Sequence, residues 1–341
     1  MSHIEIKIVC LCFIISLVLC VLIIGMSKKY RIFIDSGTSS KPQRFHTLST
    51  PRAGGISIFG AFCIMVILCY SSHFEIMMIL LGASVIFASG LIEDFRGNLS
   101  PKMRLLMQCV AAFGVCTMLD LYLKDLSLGF TLPYIIGLLF TTFALVGVSN
   151  AINIIDGFNG LASGVCLLVL CAIAYVAYDV GDREILCCTL ALIGAVGGFF
   201  ICNFPFGYIF LGDGGAYFLG FIIGILLVIL TQNNESVSAF FGLSVMIYPI
   251  WEVLFSIWRR KKRGLNATSP DDLHLHTLLF KKLKSNALTS SAILCVQILI
   301  IGISIAFYSC TYILIAFIVG FTAIYLIAYK GLERNYCVSS L

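Results

Sequence analysis

Apolar runs of about 17–22 residues, the length that crosses a hydrocarbon core as an α-helix, recur along the whole chain. They fall near 6–26, 54–72, 76–92, 104–122, 132–149, 161–180, 185–202, 215–232, 237–258, 288–309 and 312–329. Lipid offers no partner to a free backbone amide, so runs of this length are restricted to helices. The expectation is an all-α, polytopic integral membrane protein with about eleven transmembrane helices. Residues 1–341 read as a single transmembrane domain. With 60% hydrophobic and 11% charged residues, a soluble domain is excluded. The first run, Ile8 to Met26, has no small-residue cleavage site before Lys28-Lys29, and reads as a membrane helix rather than a cleaved leader. The 15 cysteines lie mostly inside apolar runs without C-x-x-C spacing, and so read as small buried hydrophobes.

Charge sets the orientation. Of the 22 lysines and arginines, all but Lys7, Lys124 and Arg183 fall in one set of alternate loops. By the positive-inside rule that set is cytoplasmic, which puts the N-terminus outside and the C-terminus inside. The net charge of +5 is this loop bias, not a footprint for nucleic acid. The same ordering puts every polar-rich stretch in the cytoplasm: 27–53, 93–104, 150–160, 203–216 and the loop 259–287.

Five motifs within these stretches bear chemistry. In Asn150-Ala-Ile-Asn-Ile-Ile-Asp156, helical spacing puts Asn150, Asn153 and Asp156 on one face, and Gly157 and Gly160 follow around Asn159. Glu93 and Asp94 are adjacent carboxylates at a membrane surface, a pairing suited to a hard cation. Ser100-Pro101 reads as an N-cap with proline at N1, opening a helix that carries Lys102 and Arg104. Those two cations either snorkel or face an anionic substrate, and snorkelling is the simpler account. Pro51-Arg-Ala-Gly54-Gly55 puts two glycines at a helix start, where free amides would contact phosphate. Asp213, between Gly212 and Gly214, is either an N-cap or a metal ligand. The last motif is Asp271-Asp272-Leu273-His274-Leu275-His276, which holds two of the chain's five histidines. These could bind pyrophosphate oxygens or a metal, or titrate. Glu252 reads as structural, paired with Arg259 or Arg260. Carboxylates and cations gathered on one membrane face describe a Mg²⁺ and phosphate site. A transport path would place charge near the midplane instead.

Taken together, Gly90-Leu-Ile-Glu-Asp94, Leu99-Ser-Pro-Lys102, Asn150 to Ala162, Ile209-Phe-Leu-Gly-Asp213 and His274-Leu-His276 resemble the polyprenyl-phosphate N-acetylhexosamine-1-phosphate transferases (WecA- and MraY-like). The resemblance runs from about Pro51 to Leu283 in matching order. It implies an enzyme of the bacterial inner membrane whose Mg²⁺-dependent active site (Mn²⁺ being the other candidate metal) faces the cytoplasm. That enzyme would move an N-acetylhexosamine-1-phosphate from a UDP-sugar to undecaprenyl phosphate. UMP is released, and a lipid-linked sugar that starts a surface polysaccharide is formed. It further implies catalytic roles for Glu93, Asp94, Asp156, His274 and His276, and metal ligation by Asp213 and Asp156. Asn150, Asn153, Asn159, Lys102, Gly54 and Gly55 would contact substrate. Partners are then the UDP-N-acetylhexosamine, undecaprenyl phosphate, membrane lipid and, as a candidate, a second copy of the chain. The acidic pair is Glu-Asp where the family has Asp-Asp, and Thr277 stands where a further histidine is usual. The peptidoglycan branch's triple histidine and Thr-Pro-Thr are absent, which argues against UDP-MurNAc-pentapeptide as donor. A transporter or flippase of a lipid-linked sugar is the alternative class.

Overall fold

The computed structural model of the chain describes residues 3–30, 50–266 and 273–339; Asp271 and Asp272 lie outside them. Thirteen helices fill the described residues, and no strand does. The first seven are α1 (His3–Tyr30), α2 (Gly54–Tyr70), α3 (Phe74–Arg96), α4 (Pro101–Met118), α5 (Tyr134–Ile155), α6 (Leu161–Asp179) and α7 (Arg183–Asn203). The rest are α8 (Gly212–Asn233), α9 (Ala239–Val245), α10 (Ile247–Lys262), α11 (Leu275–Leu283), α12 (Asn286–Ala306) and α13 (Thr311–Ser339). The chain is an all-α, multi-pass membrane protein.

Local chemistry starts two of the helices, the first at the cap that the sequence predicts. Ser100 Oγ accepts from the Met103 amide at 3.3 Å with Pro101 at N1, and Asp182 Oδ1 accepts from Ile185 at 3.1 Å. Helix α3 ends on Gly97, whose φ of 65° is the left-handed conformation that glycine takes without strain. Among the described residues, eight helices are long and apolar enough to cross a membrane, or nine if one bent pair counts as a span. Three expected spans account for the difference from eleven. Helix α2 has 17 residues; α4, which opens on Lys102 and Arg104, is not among the eight. The run 237–258 is broken into α9 and α10, which meet at 76°. Pro249 is the cause, because it lacks the N–H that would continue the helix back to Val245. The expected loop 259–287 is partly helical: Arg259–Lys262 finish α10, and α11 lies within it.

Helix α8 is the axis of the bundle, with 94% of its span buried. With no hydrophobic force between helices in lipid, close packing must hold them together. Here glycines provide it. A Cβ on Gly55 would stand 2.4 Å from the Gly215 Cα, and one on Gly90 would stand 2.4 Å from the Gly214 nitrogen. One on Gly220 would stand 2.5 Å from the Ser149 Cα. Helices α2, α3 and α5 therefore touch α8 backbone to backbone. Phe59 stacks on Phe87 at 4.3 Å beneath Phe218 and fills the space between these crossings. Ile135, Ile136, Leu139 and Phe143 on the far side of α5 stay exposed, as a lipid-facing surface should.

Gly90→Ala has backbone, not a flexible side chain, in its way. It should lower stability by about 1–3 kcal/mol. Gly114→Ala in α4, with nothing within 4 Å, should leave the melting temperature equal or higher. Thermal unfolding of the two variants in detergent makes the comparison.

Candidate active site at the mouth of the central helix

The first backbone amides of any helix have no carbonyl within the helix to bond. At α8 those of Gly212, Asp213 and Gly214 point into protein, and carboxylates from other helices answer them. Asp94, at the end of α3, accepts from Asp213 at 3.0 Å and from Gly214 at 2.9 Å, one oxygen each. The Gly212 amide favours the charged form of Asp156, which lies just beyond the end of α5. Gly212 takes φ 79°, and a Cβ there would stand 2.7 Å from Asp94 Oδ2. The tight junction thus needs glycine on two counts.

Asp213 is not the cap. It sits in the first turn of α8, after Leu211. Its carboxylate binds Arg104 through Oδ2, while Oδ1 accepts from Asn153 at 3.1 Å and lies 3.5 Å from Arg52. The side chain is 15% exposed, so the site has an opening. Glu93 turns the other way, and its Oε2 accepts from the Leu99 amide at 2.9 Å and folds the loop that begins α4. Three carboxylates and two guanidinium groups therefore meet at one helix mouth.

Electrostatics follow from that crowding. Burial, with the charge of Asp213 added and Arg52 opposing, pushes the Asp156 carboxyl up to about 7. Burial alone would depress the Arg52 guanidinium, but Asp213, Asp94, Asp156 and Glu93 together hold it above its usual value.

The histidine motif adjoins this cluster through the turn after Asp156. A Cβ on Gly157 would stand 3.8 Å from His276 Nε2, and Phe158 meets the His276 ring edge to face at 5.6 Å. His274 and His276 stack at 5.2 Å with their rings parallel within 3°. Helix α10 holds both. Glu252 accepts from His274 Nδ1 and from the Leu275 amide, each at 3.1 Å, and the Tyr248 hydroxyl is 3.3 Å from His276 Nδ1. Burial pushes His276 down to about 3, although Glu252 opposes this.

Several sequence expectations change here. The Gly54 and Gly55 amides are not free for phosphate; they donate to the Phe210 and Leu211 carbonyls at 2.8 Å. Asn150 does not join Asn153 and Asp156; its amide donates to Gln108 of α4 at 2.7 Å. Asn159 clasps the chain, donating to the Pro205 carbonyl at 3.0 Å while its backbone amide binds Asn286. Glu252 serves the histidines, and its expected partner Arg259 donates to Tyr329 at 3.1 Å. Lys102 is exposed at the start of α4, whereas Arg104, expected to snorkel, binds Asp213. Arg52 and Arg104 are the site residues that the sequence reading passed over. A signal was present, since two cations in the first turns of α4 oppose the helix dipole and so need a partner.

Comparison with known proteins gives one family. The sequence profile of Glycosyl transferase family 4 matches residues 76–231. A Bacillus subtilis protein, a probable undecaprenyl-phosphate N-acetylglucosaminyl 1-phosphate transferase, is 31% identical over 271 residues, 77% of this chain and 75% of its own. The Yersinia pestis undecaprenyl-phosphate alpha-N-acetylglucosaminyl 1-phosphate transferase is 25% identical over 262 residues, 74% of this chain and 72% of its own. The protein of that name from Salmonella typhi is 27% identical over 264 residues, 74% and 71% of the two chains.

Two pH effects follow from the buried groups. A carboxyl raised from 3.8 to about 7 contributes stability below 3.8 that is lost as pH rises through 7. In metal-free buffer Asp156→Asn should therefore melt higher than the parent at pH 8, and the difference should vanish below pH 4. For His276, lowered from 6.5 to about 3, the unfolded chain takes up a proton that the folded chain refuses. Stability should fall with pH across that window, by at most about 1.4 kcal/mol per unit. His276→Asn should therefore gain stability relative to the parent as pH falls from 6.5 toward 3, read as the difference between two melting series.

Proposed function

The chain belongs to Glycosyl transferase family 4, and on that footing we propose that it transfers an N-acetylhexosamine-1-phosphate from a UDP-sugar to undecaprenyl phosphate. The reaction lies at the cytoplasmic face of the bacterial inner membrane and starts a surface polysaccharide. One observation carries the reading: Asp94, Asp156 and Asp213 converge with Arg52 and Arg104 on the first turn of α8. That is equipment for holding phosphate at a membrane surface. It is poor equipment for a transport path, because the charged groups gather at helix ends rather than at the midplane. The cytoplasmic assignment rests on the loop bias, since Lys28 and Lys29 end α1 on the side where Arg52 leads into α2.

The donor set fits Mg²⁺, and Mn²⁺ by the same chemistry. Among the described residues no three His, Cys, Asp or Glu are grouped to hold a metal alone. Mg²⁺ needs only one or two carboxylates when phosphate and water fill the other positions. Asp213 and Asp156 would hold it, and a cation there would favour the charged form that burial of Asp156, with the charge of Asp213 added, disfavours. When bound, it supplies charge neutralisation on the diphosphate oxygens.

The chain's own residues do the rest. A lipid phosphate oxygen attacks the β-phosphorus, the bond from that phosphorus to the bridging oxygen breaks, and UMP leaves with the electron pair. The attacking phosphate is already an anion, so positioning and charge screening outweigh base catalysis. Arg104 and Arg52, both held at Asp213, would screen the phosphate groups. Asn153 orients Asp213. With both oxygens taken by amides, Asp94 acts by fixing α8, and Glu93 acts by fixing the loop into α4. His274 and His276, packed against the turn at Gly157, would support the diphosphate side of the site.

The purified protein, given undecaprenyl phosphate and a panel of UDP-N-acetylhexosamines, should release UMP with one donor, and only with Mg²⁺ or Mn²⁺. Asp213→Asn should abolish that release. Mg²⁺ should raise the melting temperature of the parent but not of this variant. Turnover retained by Asp213→Asn would overturn the metal assignment.

A further inference from the structure

Residue 249 is proline, so α10 has no N–H to return to the Val245 carbonyl four residues back. The next bond in register is made, Ile250 to Met246 at 3.1 Å. The carbonyl left over lies at the 76° break, where Val245 and Met246 are both fully buried. A buried carbonyl without a partner costs about 1–3 kcal/mol. This one is answered from a third helix: Gln297 of α12, itself fully buried, donates Nε2 to it at 2.9 Å. The other end of the amide, Oε1, has no hydrogen-bond partner. A glutamine inside a membrane helix is costly and marks a task.

We propose that Gln297 is a positioning residue for the transferase, its amide standing in for the N–H that Pro249 lacks. It fixes the bend between α9 and α10, and through the bend it fixes the His274–His276 pair. The linkage is short. Tyr248 and Glu252, four residues apart on one face of α10, hold His276 and His274, and Glu252 also holds the Leu275 amide. A shift of α10 about its first turn therefore moves both rings and the start of α11. A glutamine serving only to stabilise the bundle would have no such directed consequence. The catalytic half of this inference rests on the reading of the site given above; the geometric half does not.

Gln297→Met keeps the length and removes the donor, and Gln297→Asn keeps the amide but falls a methylene short. Diethyl pyrocarbonate labelling of the full chain in detergent, read by peptide mass, reports on the histidines directly. In the parent His274 and His276 are 4% and 3% exposed and should resist, while exposed His73 reacts as the internal reference. In Gln297→Met the pair's labelling relative to His73 should rise, and kcat for UMP release should fall roughly tenfold, the scale of one buried hydrogen bond, with a smaller change in KM. Gln297→Asn should lie between. If Gln297→Met leaves both labelling and kcat unchanged, or if its labelling rises at His73 as much as at the pair, the positioning role is overturned. A parent that releases no UMP would instead overturn the reading of the site, and the labelling would still decide the role of Gln297.

Discussion

Three amides at the start of α8 have no carbonyl to bond, and the way the protein answers them shapes the site. Carboxylates from α3 and from the end of α5 do so: Asp94 accepts from two of the amides, and the third favours the charged form of Asp156. A carboxylate has a short reach, so this is possible only if the three helix ends meet closely. The glycine contacts of Gly90 on Gly214 and Gly55 on Gly215 bring α3 and α2 to that distance. The backbone bonds from Gly54 and Gly55 to Phe210 and Leu211 then carry Arg52 to the same mouth. Helix packing within the bilayer and charge placement at its surface are thus one arrangement.

That arrangement is electrostatically expensive. A helix N-terminus offers about half a positive charge, while Asp94, Asp156 and Asp213 bring three carboxylates near it. Arg52 and Arg104 offset part of this, and both are directed at Asp213. Burial, with the charge of Asp213 added, raises the Asp156 carboxyl even so. A fold optimised for stability alone would replace it with an amide. Keeping a carboxylate there makes sense if something cationic or hydrogen-bonding arrives with the substrate, a tension between stability and function that is common at active sites.

The helices were legible in the sequence because run length and loop charge answer to the bilayer alone, without reference to other helices. The cap at Ser100 was legible for the same local reason. The break in 237–258 was readable too, from Pro249, but an apolar run conceals a missing N–H. The gathering of Asp156, Asp213 and Glu93-Asp94 was visible as a pattern on one face. Which partner each polar group takes was not, because partners come from other helices. Asn150 and Asn153 share helical spacing, yet one binds Gln108 and the other Asp213. Gly54 and Gly55 look like a phosphate cradle until Phe210 and Leu211 are seen to use their amides. Arg104 was indistinguishable from a snorkelling cation until Asp213 was placed beside it.

The histidine side shows how far such coupling extends. His276 is buried and kept neutral, and Glu252 beside it is 1% exposed. Neither burial would be tolerable alone: an unpaired carboxylate in that position costs several kcal/mol. Each is satisfied by the other motif, Glu252 by His274 and the Leu275 amide, His276 by Tyr248 and the ring of Phe158. Phe158 belongs to the same turn as Asp156, so the histidines are locked to the carboxylate cluster and not merely near it. A segment held at both ends in this way keeps its imidazoles in one position beside the carboxylate cluster. In a reaction whose chemistry asks mainly for positioning, that rigidity is the useful property.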